Sequence, residues 1–386
     1  MAGVFFLNAT LQFFLYPALN NQLGSFEYGK ILFYISLMTI FSNSFGVATD
    51  NVRLIMRNKA KFNHGDYNFT LCVFIVLTLL GLLPFVFRSF SIIQLLLFAI
   101  LAAVTLLRYY ATVVYRLEIN YKQYFFFFIW LSAGYAAGTG LLYFSNNWIA
   151  AFLLGELAAI TFAICRGNLF PRPFFKCNNF KVFFKNSSIL ALSELLYNLM
   201  LNFDRLLLIF LIGPLANTLF YISSLISKTP ILIIQPINNI ILSYLTSKKQ
   251  KADLKFFLIF SGVITFFTFL LFVFCRIVSP WFIKIFYPNE FNAVKDILTL
   301  VCLGQAVMLP GNILLVLLLT FCDLKTQFYI QAIYCIVFVS TALLLTDMYG
   351  LVGFVWSCLI ANTVRYIIAM GTGIYLSAIS PRGNHD

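Results

Sequence analysis

Charge is what this sequence has least of. Charged residues make up 10% of its 386 positions, acidic residues number 13, and there are two histidines, His64 and His385. A soluble globular domain carries about 25% charged residues, so most aqueous enzyme classes are excluded at the outset. Histidine-dependent acid–base or metal chemistry has almost no material to work with, and no nucleophile constellation stands out. Of the eight cysteines (Cys72, Cys165, Cys177, Cys275, Cys302, Cys322, Cys335 and Cys358) none forms a CxxC pair and most lie in apolar runs. They read as small hydrophobes, not as a disulfide framework or zinc site. No connection between apolar runs approaches the roughly 50 residues of the smallest independent domains. The formal net charge of +13 has almost no polar surface to sit on, which argues against nucleic acid as its partner.

What the chain has in abundance is apolar length. Hydrophobic residues reach 61%, phenylalanine alone contributes 46, and the mean hydropathy is +0.92. A membrane helix needs about 20 consecutive, predominantly apolar residues. Such runs occupy 2–20, 31–54, 69–89, 91–117, 122–145, 148–166, 187–213, 215–246, 254–278, 293–321, 326–346 and 350–379. The sequence therefore predicts an all-α polytopic membrane protein with about 12 transmembrane helices. The first run has no basic lead and no small-residue cleavage site, so it is expected to be a retained helix.

Basic residues test that count, because cytoplasmic loops are enriched in Lys and Arg. With the N-terminus inside, the inner loops collect Arg53, Arg57, Lys59 and Lys61, Arg116 and Lys122, the 166–185 group, Lys248 to Lys255, Lys325 and Arg382, roughly 17 basic residues against roughly five outside. An odd number of spans would scramble this asymmetry, so both termini are expected on the cytoplasmic side. The connection 167–186 holds Phe180, Phe183 and Phe184 beside Lys181 and Lys185, the spacing of an amphipathic helix at the membrane surface. It divides the chain into a six-helix lobe (1–166) and a second six-helix lobe (187–379), with a tail at 380–386.

An internal echo supports two lobes. Leu23-Gly24 followed by Phe33-Tyr34-Ile35-Ser36 recurs as Ile212-Gly213 followed by Phe220-Tyr221-Ile222-Ser223, six spans later. An even offset preserves orientation, so the halves are expected to be parallel repeats related by a pseudo-two-fold axis along the membrane normal.

Polar groups inside a bilayer are costly and face a cavity or a partner. In span seven Glu194, Asn198, Asn202 and Arg205 follow steps of four, four and three, one face of a helix, with Asp204 adjoining. Span eight carries Asn217, Tyr221, Ser224 and Lys228 at steps of four, three and four, again one helix face, then Gln235 and Asn239 among Pro230 and Pro236, prolines expected to let it bend. Span one carries Asn8, Gln12, Tyr16 and Asn20, and span two Thr39, Asn43, Gly46, Asp50 and Arg53. Arg108 in span four, Glu156 in span six and Arg365 beside Asn362 in span twelve are isolated charges. Basic groups facing an interior cavity suit an anionic ligand such as a diphosphate, since a low dielectric strengthens charge-assisted hydrogen bonds. The carboxylates Asp50, Glu156, Glu194 and Asp204 fit either proton or ion uptake or permanent pairing with these cations.

Four stretches carry a family resemblance: Pro17 to Gly29 (PALNNQLGSFEYG), Ser44 to Arg53 (SFGVATDNVR), Asp204 to Tyr221 (DRLLLIFLIGPLANTLFY) and the GLVG pair at Gly350 to Gly353. Through them the chain resembles the polysaccharide-transporter branch of the multidrug/oligosaccharidyl-lipid/polysaccharide exporter superfamily, the group of O-antigen and capsule repeat-unit flippases. The resemblance implies two six-helix lobes of the kind seen in multidrug and toxic-compound extrusion (MATE) proteins, with helices one, two, seven and eight lining a cleft. It implies alternating access that carries a polyprenyl-diphosphate-linked oligosaccharide across a bacterial inner membrane. On that view Lys228, Arg205, Arg365 and Arg108 meet the diphosphate. Asn8, Gln12, Asn43, Asn198, Asn202, Tyr221 and Gln235 meet the sugars, and Asp50, Glu156, Glu194 and Asp204 are the ion-coupling candidates. No cofactor or metal is expected; proton or sodium coupling and contacts with other polysaccharide-assembly proteins stay open. So do two rivals, a MATE-type drug exporter and a membrane polymerase, although the latter would need a large external catalytic loop that 279–292 does not provide.

Overall fold

The computed structural model describes residues 2–56, 62–167, 169–170, 174–230, 254–318 and 324–379. Their regular structure is helical throughout. Helix α1 covers 2–23 in three pieces, Ala2–Thr10, a π-helical turn Leu11–Leu15, and Tyr16–Leu23. Then come α2 (Ser25–Met56), α3 (His64–Val86), α4 (Ile92–Leu117), α5 (Tyr121–Ser145), α6 (Trp148–Gly167) and α7 (Phe180–Leu211). Helix α8 covers 214–230, followed by α9 (Leu254–Phe286), α10 (Phe291–Leu318), α11 (324–349) and α12 (350–379). Among the described residues eight helices are long and apolar enough to cross a membrane, one of them a double-length run that breaks at Gly350. Large apolar side chains point outward along them, as on α9, where Phe266, Phe267, Phe269 and Trp281 are each at least 60% exposed. A helix satisfies most of its backbone polar groups internally, which leaves such side chains free to face lipid.

Local chemistry sets the ends. Ser91 and Gln94 cap α4 reciprocally, the Ser91 Oγ accepting from the Gln94 N–H and the Gln94 side chain from the Ser91 N–H. Asn120 caps α5 through the Gln123 N–H. Gly24 and Gly213, the two glycines of the internal echo, both take positive φ (82° and 124°) directly before α2 and α8. The Phe-Tyr-Ile-Ser segments that follow are both buried.

The chain divides into two compact units, Met1–Ile209 and Phe210–Asp386. Nearly the whole of α7 falls within the first unit, where its side chains meet those of α2 and α3. Helices α5 and α6 approach closely where Gly138 meets the Ala151 carbonyl, a position at which any Cβ would collide. In the second unit α9, α10, α11 and α12 enclose a core of Phe257, Ile264, Leu314, Leu317, Ile330 and Ala369. At Gly350 (φ 56°) the chain reverses, and Gly353 lies against the Leu345 carbonyl. Phe338 and Phe354, sixteen positions apart, stand 5.8 Å from each other, so α11 and α12 form an antiparallel hairpin. The Gly350 to Gly353 pair is thus a turn followed by a close-packing contact.

Candidate functional site

Helix α7 presents its polar stripe to α2 within the first unit. Asn198, 3% exposed, donates from Nδ2 to Ser44 Oγ at 3.0 Å and to the Glu194 carbonyl at 2.9 Å, and its Oδ1 accepts from Asn43 Nδ2 at 3.0 Å. Asn202 donates to the Asn198 carbonyl at 2.9 Å, and the Arg205 Nη1 donates to Ser36 Oγ at 3.2 Å. As the α7 number rises from 198 to 205 its partner on α2 falls from 44 to 36, so the helices run antiparallel with two polar rungs about 10 Å apart. Arg205 also lies within electrostatic reach of Tyr16, just past the π-helical turn of α1, and Tyr16 in turn feels Tyr109. Tyr109 supports the face of Arg108, whose guanidinium carbon is 3.7 Å from the ring centroid. A hydrogen-bonded polar seam therefore runs between α2 and α7 in the first unit.

Arg108 and Glu156 belong to each other. The Arg108 Nε donates to Glu156 Oε2 at 2.8 Å, Tyr135 donates its hydroxyl to Oε1 at 2.7 Å, and the carboxylate is 2% exposed. The pair joins α4 to α6, with Tyr135 adding α5, and corresponds to the permanent-pairing alternative for Glu156. Asp50 is likewise committed. Its Oδ2 accepts from Arg116 Nη1 and Thr112 Oγ1, each at 2.7 Å. Next to it Arg53 donates to the Tyr110 hydroxyl and covers the Tyr67 ring at 4.5 Å.

The remaining expected residues are spread over both units. Asn8 donates to the Val4 carbonyl of its own helix at 3.0 Å, and Gln12 lies half-buried in the π-helical turn. Asp204 accepts the Arg205 backbone N–H at 2.9 Å, and Glu194 is half-buried on the α7 stripe. In the second unit Tyr221 is buried, and the Lys228 Nζ stands 5.3 Å from the Phe220 ring centroid. Arg365, 3% exposed, lies on the Tyr334 ring at 4.5 Å and donates from Nη2 to the Met308 carbonyl at 3.1 Å and to Asn362 Oδ1 at 3.3 Å. Gln235 and the proline bend expected near it lie outside the described residues. Among the described residues no cluster of three or more His, Cys, Asp or Glu is arranged to hold a metal. Sequence reasoning missed Tyr135 and Tyr109. Tyr135 had a signal, since Ser132, Tyr135 and Thr139 follow steps of three and four along α5.

This helical arrangement has close counterparts among solved structures. The inward-facing conformation of a multidrug resistance MATE family transporter of the MOP superfamily aligns with a TM-score of 0.78 over 98% of this chain and 96% of its own, at 12% identity. Lipid II flippase MurJ in its inward closed conformation aligns with a TM-score of 0.70 over 100% and 93%, at 13% identity. The fold is MATE-like. An outward-facing MATE transporter aligns with a lower TM-score, 0.65. No protein-family model matches the sequence, and no curated protein matches it either. At these identities the likeness establishes the architecture, and function has to be argued from the residues.

Proposed function

We propose that the protein is a flippase that carries polyprenyl-diphosphate-linked oligosaccharide repeat units, of the O-antigen or capsule type, across a bacterial inner membrane by alternating access. The observation that carries this reading is the α2–α7 seam. There Arg205, a permanent cation inside a membrane-embedded unit, is presented among Ser36, Tyr16 and a row of asparagine amides. A guanidinium suits a diphosphate, and amides and hydroxyls suit sugar hydroxyls. Arg205 in the first unit, with Lys228 and Arg365 in the second, are each assigned to the anionic group during the cycle. Asn43, Asn198, Asn202, Tyr221, Asn8, Gln12 and Gln235 are assigned to the glycan. Arg108 and Glu156 are left out of this set because each neutralises the other, while Glu194 and Asp204 remain the candidates for proton or sodium coupling. The resemblance to a lipid II flippase is in keeping with a lipid-linked cargo, and the MATE likeness supports drug export as the second reading.

Deleting the gene and quantifying membrane polyprenyl-diphosphate oligosaccharides by mass spectrometry separates the two. Accumulation of a complete repeat unit, reversed by the wild-type gene but not by Arg205→Ala or Lys228→Ala forms that express and fold normally, is the expected result. Normal glycan export by a well-expressed double variant would remove the site assignment. An intact surface glycan with no accumulating intermediate, together with lost dye efflux, would favour the drug exporter.

A further inference from the structure

The stretch leading into α7 is fixed to α3 by its main chain. The Asp66 carboxylate, 0% exposed, accepts the Asn178 N–H at 2.9 Å and the Asn179 N–H at 3.2 Å while also accepting the Asn63 N–H at 2.9 Å. Asn68 Nδ2 donates to the Phe174 carbonyl at 2.9 Å. Gly65 lies under Lys176, where a Cβ would come within 2.6 Å of the lysine's backbone carbonyl. With the backbone turned inward, the side chains are driven outward: Phe175 is 73% and Phe174 37% exposed, and Lys176 projects beside them.

The start of α7 continues the division. Phe183 is buried against Phe62 and Tyr67, with ring centroids 5.4 and 4.8 Å away, and Phe184 meets Phe74 at 5.7 Å. So the phenylalanines expected to face the membrane from 180–184 instead seat this turn on α3. They do so because α7 is one continuous helix from Phe180. Lys181 and Lys185, four residues apart, share the exposed edge with Val182, which is 47% exposed. Outward-facing Phe69, 42% exposed, joins the row through Phe175 at 6.1 Å. From 174 to 193 the sequence has no acidic residue. At 32 residues α7 is about 48 Å long against a hydrocarbon core of about 30 Å, so part of it projects beyond the core.

We propose that residues 174–185 form a preset docking surface for acidic phospholipid headgroups of the surrounding membrane. The exposed phenylalanines sit at headgroup depth, and Lys176, Lys181 and Lys185 meet the phosphates. Because Asp66, Asn68 and Gly65 already hold the main chain, little ordering remains to oppose the contact. The surface is separate from the α2–α7 seam and does not depend on what that seam carries.

The test uses the full-length protein in nanodiscs of equal parts phosphatidylcholine and phosphatidylglycerol. After transfer to mild detergent, native mass spectrometry counts the lipids retained. Wild type is expected to retain phosphatidylglycerol in preference. The Lys176→Gln, Lys181→Gln, Lys185→Gln triple variant should lose that preference by at least about tenfold, since each basic residue near an acidic surface contributes roughly fivefold. The matching Lys→Arg triple variant should keep it, and Phe175→Ser should lower retention of both lipids alike. A wild type without preference, or a glutamine variant with the wild-type preference, overturns the proposal. So does a glutamine variant that keeps the lipid preference but loses an acidic protein partner captured by wild type.

Discussion

Replacing Glu156 with alanine tests whether the charge pair at the α4–α6 contact is a structural joint. The carboxylate is 2% exposed, Arg108 about 10%, and every polar contact of Glu156 is short: 2.8 Å to Arg108 and 2.7 Å to Tyr135. Removing one partner of such a pair leaves a guanidinium and a phenol without their acceptor in an apolar setting, a loss of about 3 to 5 kcal/mol. Replacing both, as in Arg108→Met with Glu156→Leu, removes the stranded charge and should recover most of that loss. The assay is thermal unfolding in detergent, followed by intrinsic fluorescence. Glu156→Ala should lower the midpoint by on the order of 5 °C, and the double variant should return towards wild type. A Glu156→Ala protein with wild-type thermal stability but no transport would refute the reasoning and restore Glu156 to the coupling candidates.

Three further outcomes are expected. Asn198→Ala takes away the acceptor of the Asn43 amide and one of the two partners of Ser44, which keeps its bond to the Ile40 carbonyl, lowering stability by about 1 to 3 kcal/mol in the same melting assay, whereas Asn8→Ala, whose amide bonds only its own helix, should leave it nearly unchanged. Gly353→Val drives side-chain atoms into the Leu345 carbonyl and opens the α11–α12 hairpin, which should cost about 3 kcal/mol or more and cut the yield of folded protein measured by size-exclusion chromatography. Asp66→Ala frees the main chain at Asn178 and Asn179, so trypsin should cleave after Lys176 about tenfold faster than in wild type; equal cleavage rates would show that the carboxylate does not hold this stretch.

The helices and the polar face of α7 could be read from the sequence because both depend on spacing along one element. The apolar runs and the steps of four, four and three at Glu194, Asn198, Asn202 and Arg205 are local facts that folding leaves intact. What could not be read was which residues meet across long separations. Arg108 and Glu156 stand 48 positions apart, and nothing in either neighbourhood announces the other. Spacing therefore left both readings of Glu156 open, ion uptake or permanent pairing, without naming the partner. Asp66 was overlooked although it has a signal, an Asn63-to-Asp66 capping spacing ahead of an apolar run. Its second role, holding the chain at 178–179, depends on a contact 112 positions away. The phenylalanines at 180–184 were assigned to lipid because periodicity identifies an apolar face but not what covers it.

The two kinds of polar contact in the first unit also differ in how they can be undone. Separating Arg108 from Glu156 would strand opposite charges, so that joint behaves as a weld. Between α2 and α7 the contacts are amide to amide, amide to hydroxyl and guanidinium to hydroxyl, each worth about 1 kcal/mol net, more for the guanidinium. Such a seam behaves as a zip. On the proposed function, an anion arriving at Arg205 would share the guanidinium's donors with the Ser36 hydroxyl and so weaken that rung. On that reading, the group that recognises the cargo would also loosen the contact between α2 and α7.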